Sequence, residues 1–142
     1  MPKINFFTED INYNLKGKNA VKAWIKETIA QEGYKLNELN FIFCSDEYLL
    51  RVNQDFLQHD YYTDVITFDN SEELKTILGD IFISIDRVKD NAKQNKASTH
   101  DELCRIIIHG TLHLLGYKDK TKNAKTEMTA KEDFYLSARR VQ

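Results

Sequence analysis

Residues 106–121 read IIIHGTLHLLGYKDKT, and the rest of the chain is organised around them. His109 and His113 are four residues apart, so on a helix both imidazoles leave the same face, one turn above the other. Gly116 stands where a helix can stop, and Asp119 comes three residues later. A chain that stops at Gly116 and folds back brings Asp119 toward the two rings. Two nitrogens and one carboxylate oxygen are the donor set of an open, catalytic zinc site whose fourth position is left to water. The spacing therefore predicts a mononuclear metal site with His109, His113 and Asp119 as its ligands.

Two histidines at helical spacing are also common as ordinary hydrogen-bonded residues, so the pair alone carries little weight. Gly110 adds to it, because a mid-helix glycine costs about 0.5–1 kcal/mol relative to alanine and calls for a packing or access reason. The extended pattern H-x-x-x-H-x-x-G-x-x-ligand is more specific. Zinc endopeptidases use the same spacing, with a glutamate after the first histidine as general base. Here that position is Gly110, so peptidase chemistry does not follow from the ligand geometry.

Upstream of the stretch, Ser98 with Asp101, or Thr99 with Glu102, fits a capping box that opens the histidine helix. Before it, IDRVKDNAKQNK reads as a helix capped by Ser84, and ILGDIFIS (77–84) and VITF (65–68) read as strands joined in a hairpin-like antiparallel pair. Ser45 suits the N-cap of DEYLLRVNQDFL, whose Leu49, Leu50, Val52, Phe56 and Leu57 suggest a core stripe. Residues 36–45, LNELNFIFCS, alternate as a half-buried strand does, and 3–8, KINFFT, suit a short edge strand. Between them, Val21, Trp24, Ile25 and Ile29 recur at helical spacing, with Asn19 as a candidate N-cap and Gly33 as the stop. Downstream, residues 122–140 are helical by composition, with Ala124, Met128, Phe134 or Tyr135, and Ala138 as an apolar face. These elements predict an α+β fold: a single domain over 1–142, about four strands in a mixed sheet packed with about five helices. Strand order is left open.

Composition narrows the class without naming a function. The chain has 142 residues, 42% hydrophobic and 30% charged, which is ordinary for a globular protein. No apolar run approaches the roughly 20 residues needed to span a bilayer, and MPKINFFTEDINYN does not resemble a signal peptide, so a cytoplasmic protein with no membrane partner is expected. Cys44 and Cys104 read as buried free thiols rather than a disulfide, and no CxxC pair offers a thiolate zinc site. A net charge of −2 argues against non-specific wrapping of nucleic acid and does not exclude a local basic patch.

HGTLHLLGYKD (109–119) resembles the signature of the YbeY family, H-G-x-L-H-L-x-G-Y-D-H. TDVITF (63–68) resembles the family's T-D-V-L-S-F, LGDIFIS (78–84) its G-D-I-x-I-S, and EMTAKED (127–133) the tail after the signature. The likeness covers nearly the whole chain. It implies a metal-dependent, single-strand-specific endoribonuclease of ribosomal RNA maturation, with zinc or another divalent ion bound. RNA, in particular ribosomal RNA precursor, would be its substrate, the ribosome or its small subunit its partner, and no DNA partner is expected.

Two residues depart from the family pattern. Asp119 stands where the family has its third histidine ligand, a replacement zinc accepts, since it binds carboxylate oxygen at about 2.0–2.2 Å. Leu57 stands where the family carries an arginine implicated in activity, which removes a bidentate phosphate partner. Arg51 and His59 are candidate substitutes. Lys118, Lys120, Lys122 and Lys125 read equally as a solvated face or as positive potential that draws phosphates to the site. Asp64 and Asp80 are candidates for hydrogen bonds to the ligand imidazoles, although a turn role and a strand-edge role are favoured. Thr63 and Thr67 line either a cleft or simply their strand. No catalytic residue beyond the ligands is assigned. Two alternatives stay open: a ribosome-assembly factor with a structural metal and no enzymatic activity, and a metal-dependent hydrolase of another substrate such as peptide.

Overall fold

The order of elements is β1 (Lys3–Thr8), α1 (Lys18–Gln31), β2 (Lys35–Cys44), α2 (Asp46–Leu57), β3 (Val65–Asp69), β4 (Thr76–Ser84), α3 (Ile85–Gln94), α4 (Thr99–Leu114) and α5 (Lys122–Ser137). This is a computed structural model that describes residues 2–139. Position 140, the expected end of the last helix, lies outside the described residues. The four strands form one sheet in the order β1-β2-β4-β3. β1, β2 and β4 run parallel, and β3 returns antiparallel to β4 as the hairpin reading predicts. The α+β expectation of a four-stranded mixed sheet with five helices holds, and β1 is the edge strand its sequence suggests.

Register explains the two faces of the sheet. Leu39, Phe41 and Phe43 pair with Gly79, Ile81 and Ile83, and Thr67 and Val65 pair with Ile81 and Ile83. Alternate residues of a strand share a face, so these positions form one apolar surface. The main core covers it: Val21, Trp24, Ile25 and Ile29 of α1, Val88 of α3, and Leu103, Ile107, Leu112 and Leu114 of α4. Full burial of side chains such as Phe41 and Ile107 is worth about 1.5–3 kcal/mol each, which fixes α4 against the sheet. On the opposite face a smaller cluster of Cys44, Leu49, Val52 and Ile66 packs with Tyr48, Phe68 and Phe82.

Most local signals are realised. Ser45, Ser84 and Ser98 accept hydrogen bonds from the backbone N–H groups of Tyr48, Arg87 and Asp101, and Thr121 does the same for Ala124. Among the described residues, no helix is long and apolar enough to cross a membrane. Both cysteines are buried and free, and burial, reinforced by Asp10 and other carboxylates, pushes the Cys44 thiol up to about 12.

Two details differ from expectation. Helix α1 begins at Lys18 after Gly17, whose backbone is left-handed and which donates no side-chain cap, so Asn19 lies inside the helix. The α2 stripe is narrower than predicted, because the helix meets only the small second cluster. Leu49 and Val52 are buried, while Phe56 and Leu57 are exposed. Of the two aromatics open for the α5 face, Tyr135 is the buried one and Phe134 faces solvent.

Gly79 shows how close the sheet and α4 come. A Cβ there would lie 2.4 Å from the carbonyl oxygen of Phe68 and 3.4 Å from Leu114. Gly79→Ala is expected to destabilise the protein by about 1–3 kcal/mol by forcing β3 and β4 apart. Thermal unfolding of the variant measures this, and an unchanged Tm would show that the strand pair yields freely.

Candidate metal centre

Helix α4 is enclosed by the sheet on one side and by α1, α3 and α5 on the others. From Glu102 to Leu115 every residue is buried except Arg105, His109 and His113. These are i, i+4 and i+8, a single stripe along the helix. The histidines therefore lie on the one stripe of α4, from Glu102 to Leu115, that is not buried. Gly110 supplies the packing reason its sequence position demanded: a Cβ there would lie 3.0 Å from Ile81 Cγ2 and 3.5 Å from Thr67 Cγ2. Its absence lets α4 sit tight on β3 and β4.

The helix ends as the glycine suggests. Gly116 adopts a φ of 98°, its N–H donates to the His113 carbonyl, and the Tyr117 N–H donates to the Leu112 carbonyl. This is a Schellman closure, which reverses the chain at once. Asp119 is thereby returned to the histidines. Its Oδ2 lies 3.4 Å from His109 Nε2 and 3.3 Å from His113 Nε2. The two Nε2 atoms are 3.0 Å apart, with the rings nearly perpendicular at 86°. Four-coordinate zinc with arms of about 2.0–2.1 Å needs donor atoms roughly 3.3–3.4 Å apart. The three residues form a group able to hold a metal ion, with one donor atom from each converging within 4.8 Å.

The far side of each imidazole is also occupied. Glu132 Oε2 is 2.6 Å from His109 Nδ1, and the Tyr117 carbonyl is 3.0 Å from His113 Nδ1. Acceptors at both Nδ1 atoms keep the protons there and turn the Nε2 lone pairs toward the common point, as is usual for metal-ligating histidines. Glu132 is itself held by Arg105, whose Nη1 donates to Oε1 at 2.8 Å while Nη2 pairs with Asp133 at 2.8 Å. Burial works against a charged His109, yet Glu132 outweighs it, with Asp119 and Asp64 adding to the effect, and the imidazole's pKa is raised. Glu132, Asp119 and Asp64 thus favour positive charge at His109, as a cation site requires.

The other predicted residues sort differently. Asp80 sits on the opposite face of the sheet, where it accepts from Asn40 and Asn70, so it cannot reach an imidazole. Asp64 opens β3, and its backbone carbonyl accepts from Ser84. Burial raises the pKa of its carboxyl, and the nearby His109 acts against that rise. Both Nδ1 positions are already taken by Glu132 and Tyr117, so neither candidate carboxylate fills the supporting role. Thr67 turns its methyl to Gly110. Arg51 lies over the Tyr48 ring and His59 stacks on Tyr61. Lys118, Lys120, Lys122 and Lys125 are exposed on and after the Asp119 turn. Glu132 was missed in the sequence as a functional residue. Its only signal was its place in EMTAKED, an acidic residue on a face that otherwise buries Met128 and Tyr135.

A mixed four-stranded sheet, a central helix open along one stripe, and a His/His/Asp group at its end define a small α+β protein with a candidate metal centre. The family model described as Endoribonuclease YbeY matches residues 3–140. Curated relatives named Endoribonuclease YbeY include one from Cytophaga hutchinsonii, 57% identical and covering 96% of both chains. Another, from Amoebophilus asiaticus, is 48% identical over 99% of this chain and 97% of its own. A solution structure of TM1509 from Thermotoga maritima superposes with a TM-score of 0.66 at 29% identity, covering 95% of this chain and 87% of that one. The chain belongs to the YbeY endoribonuclease family.

Proposed function

We infer that the protein is a metal-dependent, single-strand-specific endoribonuclease that acts on ribosomal RNA precursor in the cytoplasm, in association with the ribosome or its small subunit. The observation that carries the reading is the convergence of His109 Nε2, His113 Nε2 and Asp119 Oδ2 on one point, with both Nδ1 atoms engaged from behind. A divalent ion held there, zinc by the donor set, supplies Lewis-acid chemistry at a phosphoryl oxygen. His109, His113 and Asp119 act as ligands rather than as acid–base groups. Glu132 and the Tyr117 carbonyl orient the imidazoles. The exposed lysines from Lys118 to Lys125 bring positive charge to the Asp119 turn in a chain whose net charge is −2, and so draw phosphates to the site. Leu57, exposed at the end of α2, offers no bond to a phosphate.

Gly110 speaks against the peptide alternative, because the peptidase base is absent and a side chain there would crowd Ile81, whose Cγ2 lies 3.0 Å from the Cβ position. The test pairs metal analysis of purified protein with cleavage of ribosomal RNA precursor, and casein as the competing substrate. Stoichiometric zinc, cleavage of RNA and loss of cleavage on chelation are expected. Full activity after metal removal, or cleavage of casein alone, refutes the reading.

A further inference from the structure

The turn after α4 and the helix α5 both reach back to one carboxylate on a third element. Glu32 is the C-cap residue of α1, just before the left-handed Gly33 that leads into β2. Its side chain is 12% exposed. The Tyr117 hydroxyl donates to Oε1 at 2.6 Å. The Tyr135 hydroxyl donates to Oε2, and the Lys131 ammonium lies 3.2 Å from the same oxygen. Lys131 also stands 5.6 Å from the Tyr117 ring centroid, close enough for a cation–π contact. Burial opposes ionisation of Glu32, but the three donors outweigh it and hold the carboxyl below its ordinary range.

Each residue gathered by Glu32 is one step from a ligand. Tyr117 carries on its own backbone the carbonyl that orients His113, and Asp119 is two residues further along the same turn. Lys131 immediately precedes Glu132, which orients His109, and Tyr135 lies one helical turn beyond it. Packing of α5 on α1 is reinforced by the Trp24 indole, which donates to the Tyr135 carbonyl at 2.7 Å. Gly116 and Lys118 of the turn after α4 are exposed, and only the Tyr117 ring packs against the core. Without an anchor, the Tyr117 carbonyl behind His113 and the Asp119 carboxylate that follows it would wander by more than a metal site tolerates.

We propose that Glu32 is a positioning residue of the metal centre, its carboxylate locking the turn that orients His113 and Asp119 to the helix that orients His109. The proposal rests on the ligand reading above. It goes beyond that reading in assigning metal affinity to a residue that touches neither the metal nor a ligand.

The test is the zinc affinity of the full chain, measured by competition with a chromogenic chelator, for wild type, Glu32→Gln, Tyr117→Phe and the double variant, with Tm recorded for each. Tyr117→Phe removes one hydroxyl at a partly exposed ring, so it keeps the test valid if Glu32→Gln fails to fold. Each single variant is expected to weaken zinc binding about tenfold or more, the scale found for partners that support metal ligands. The double variant is expected to lose little beyond the worse single one, because both remove the same link. Zinc affinities within twofold of wild type, with only Tm lowered, would reduce Glu32 to a structural role and overturn the proposal. A wild-type chain that takes up no zinc overturns the ligand reading instead.

Discussion

His113→Ala is expected to leave a folded protein that neither retains metal nor cleaves RNA. His113 is partly buried at the last turn of α4 and lies on the helix's exposed stripe with Arg105 and His109. Its Nε2 is 3.0 Å from that of His109 and 3.3 Å from Asp119 Oδ2, so its loss removes one of three donors and leaves the other two unable to close a site. The drop in affinity should exceed the roughly 10–100-fold that follows removal of a supporting partner. Metal content by mass spectrometry, an RNA cleavage assay and far-ultraviolet circular dichroism on the same sample separate loss of the site from loss of the fold. Cleavage at the wild-type rate by this variant would remove the ligands from the mechanism.

Glu132→Ala should be nearly as damaging by a different route. The carboxylate accepts from His109 Nδ1 at 2.6 Å and from Arg105 at 2.8 Å, and it is buried between α4 and α5. Alanine frees the His109 ring to rotate and leaves Arg105 with Asp133 as its carboxylate partner. Zinc affinity is expected to fall about 10–100-fold. Stability should fall as well, because Glu132 is buried and its loss removes hydrogen bonds to both His109 and Arg105. Glu132→Gln should lie between the two, since its oxygen still accepts from Nδ1–H while its amide no longer pairs with Arg105. Chelator competition and thermal unfolding measure both effects, and affinity within twofold of wild type would show that His109 needs no support.

Glu32 adds a pH dependence of definite sign. Its carboxyl is held below the ordinary range by Tyr117, Tyr135 and Lys131, against the burial that raises it. A group whose folded pKa is depressed contributes stability above its unfolded pKa, and that contribution is lost as pH falls through the folded one. Acid unfolding of Glu32→Gln should therefore be displaced less by pH in this window than that of wild type.

Local chemistry was the legible part of the fold. Ser45, Ser84 and Ser98 cap helices because a hydroxyl before an apolar-periodic run has few other uses, and β3 and β4 pair because a short polar turn separates two apolar runs. Where burial depends on a neighbour from elsewhere in the chain, the pattern misled: Phe56 looked like core, but α2 meets only a small cluster and leaves that ring in solvent. The candidate site divides along the same line. Residues 109–119 already contained the two candidate ligand nitrogens, the glycine that turns the helix and the carboxylate that returns, since helix pitch and one left-handed residue are local matters. The order β1-β2-β4-β3, the single open stripe of α4, the bond from Glu132 to His109 and the anchor at Glu32 join residues 23 to 103 positions apart. No local period encodes those distances. They exist because burying α4 on nearly every side forces α1 and α5 together around it, and the polar groups trapped between them must find partners there.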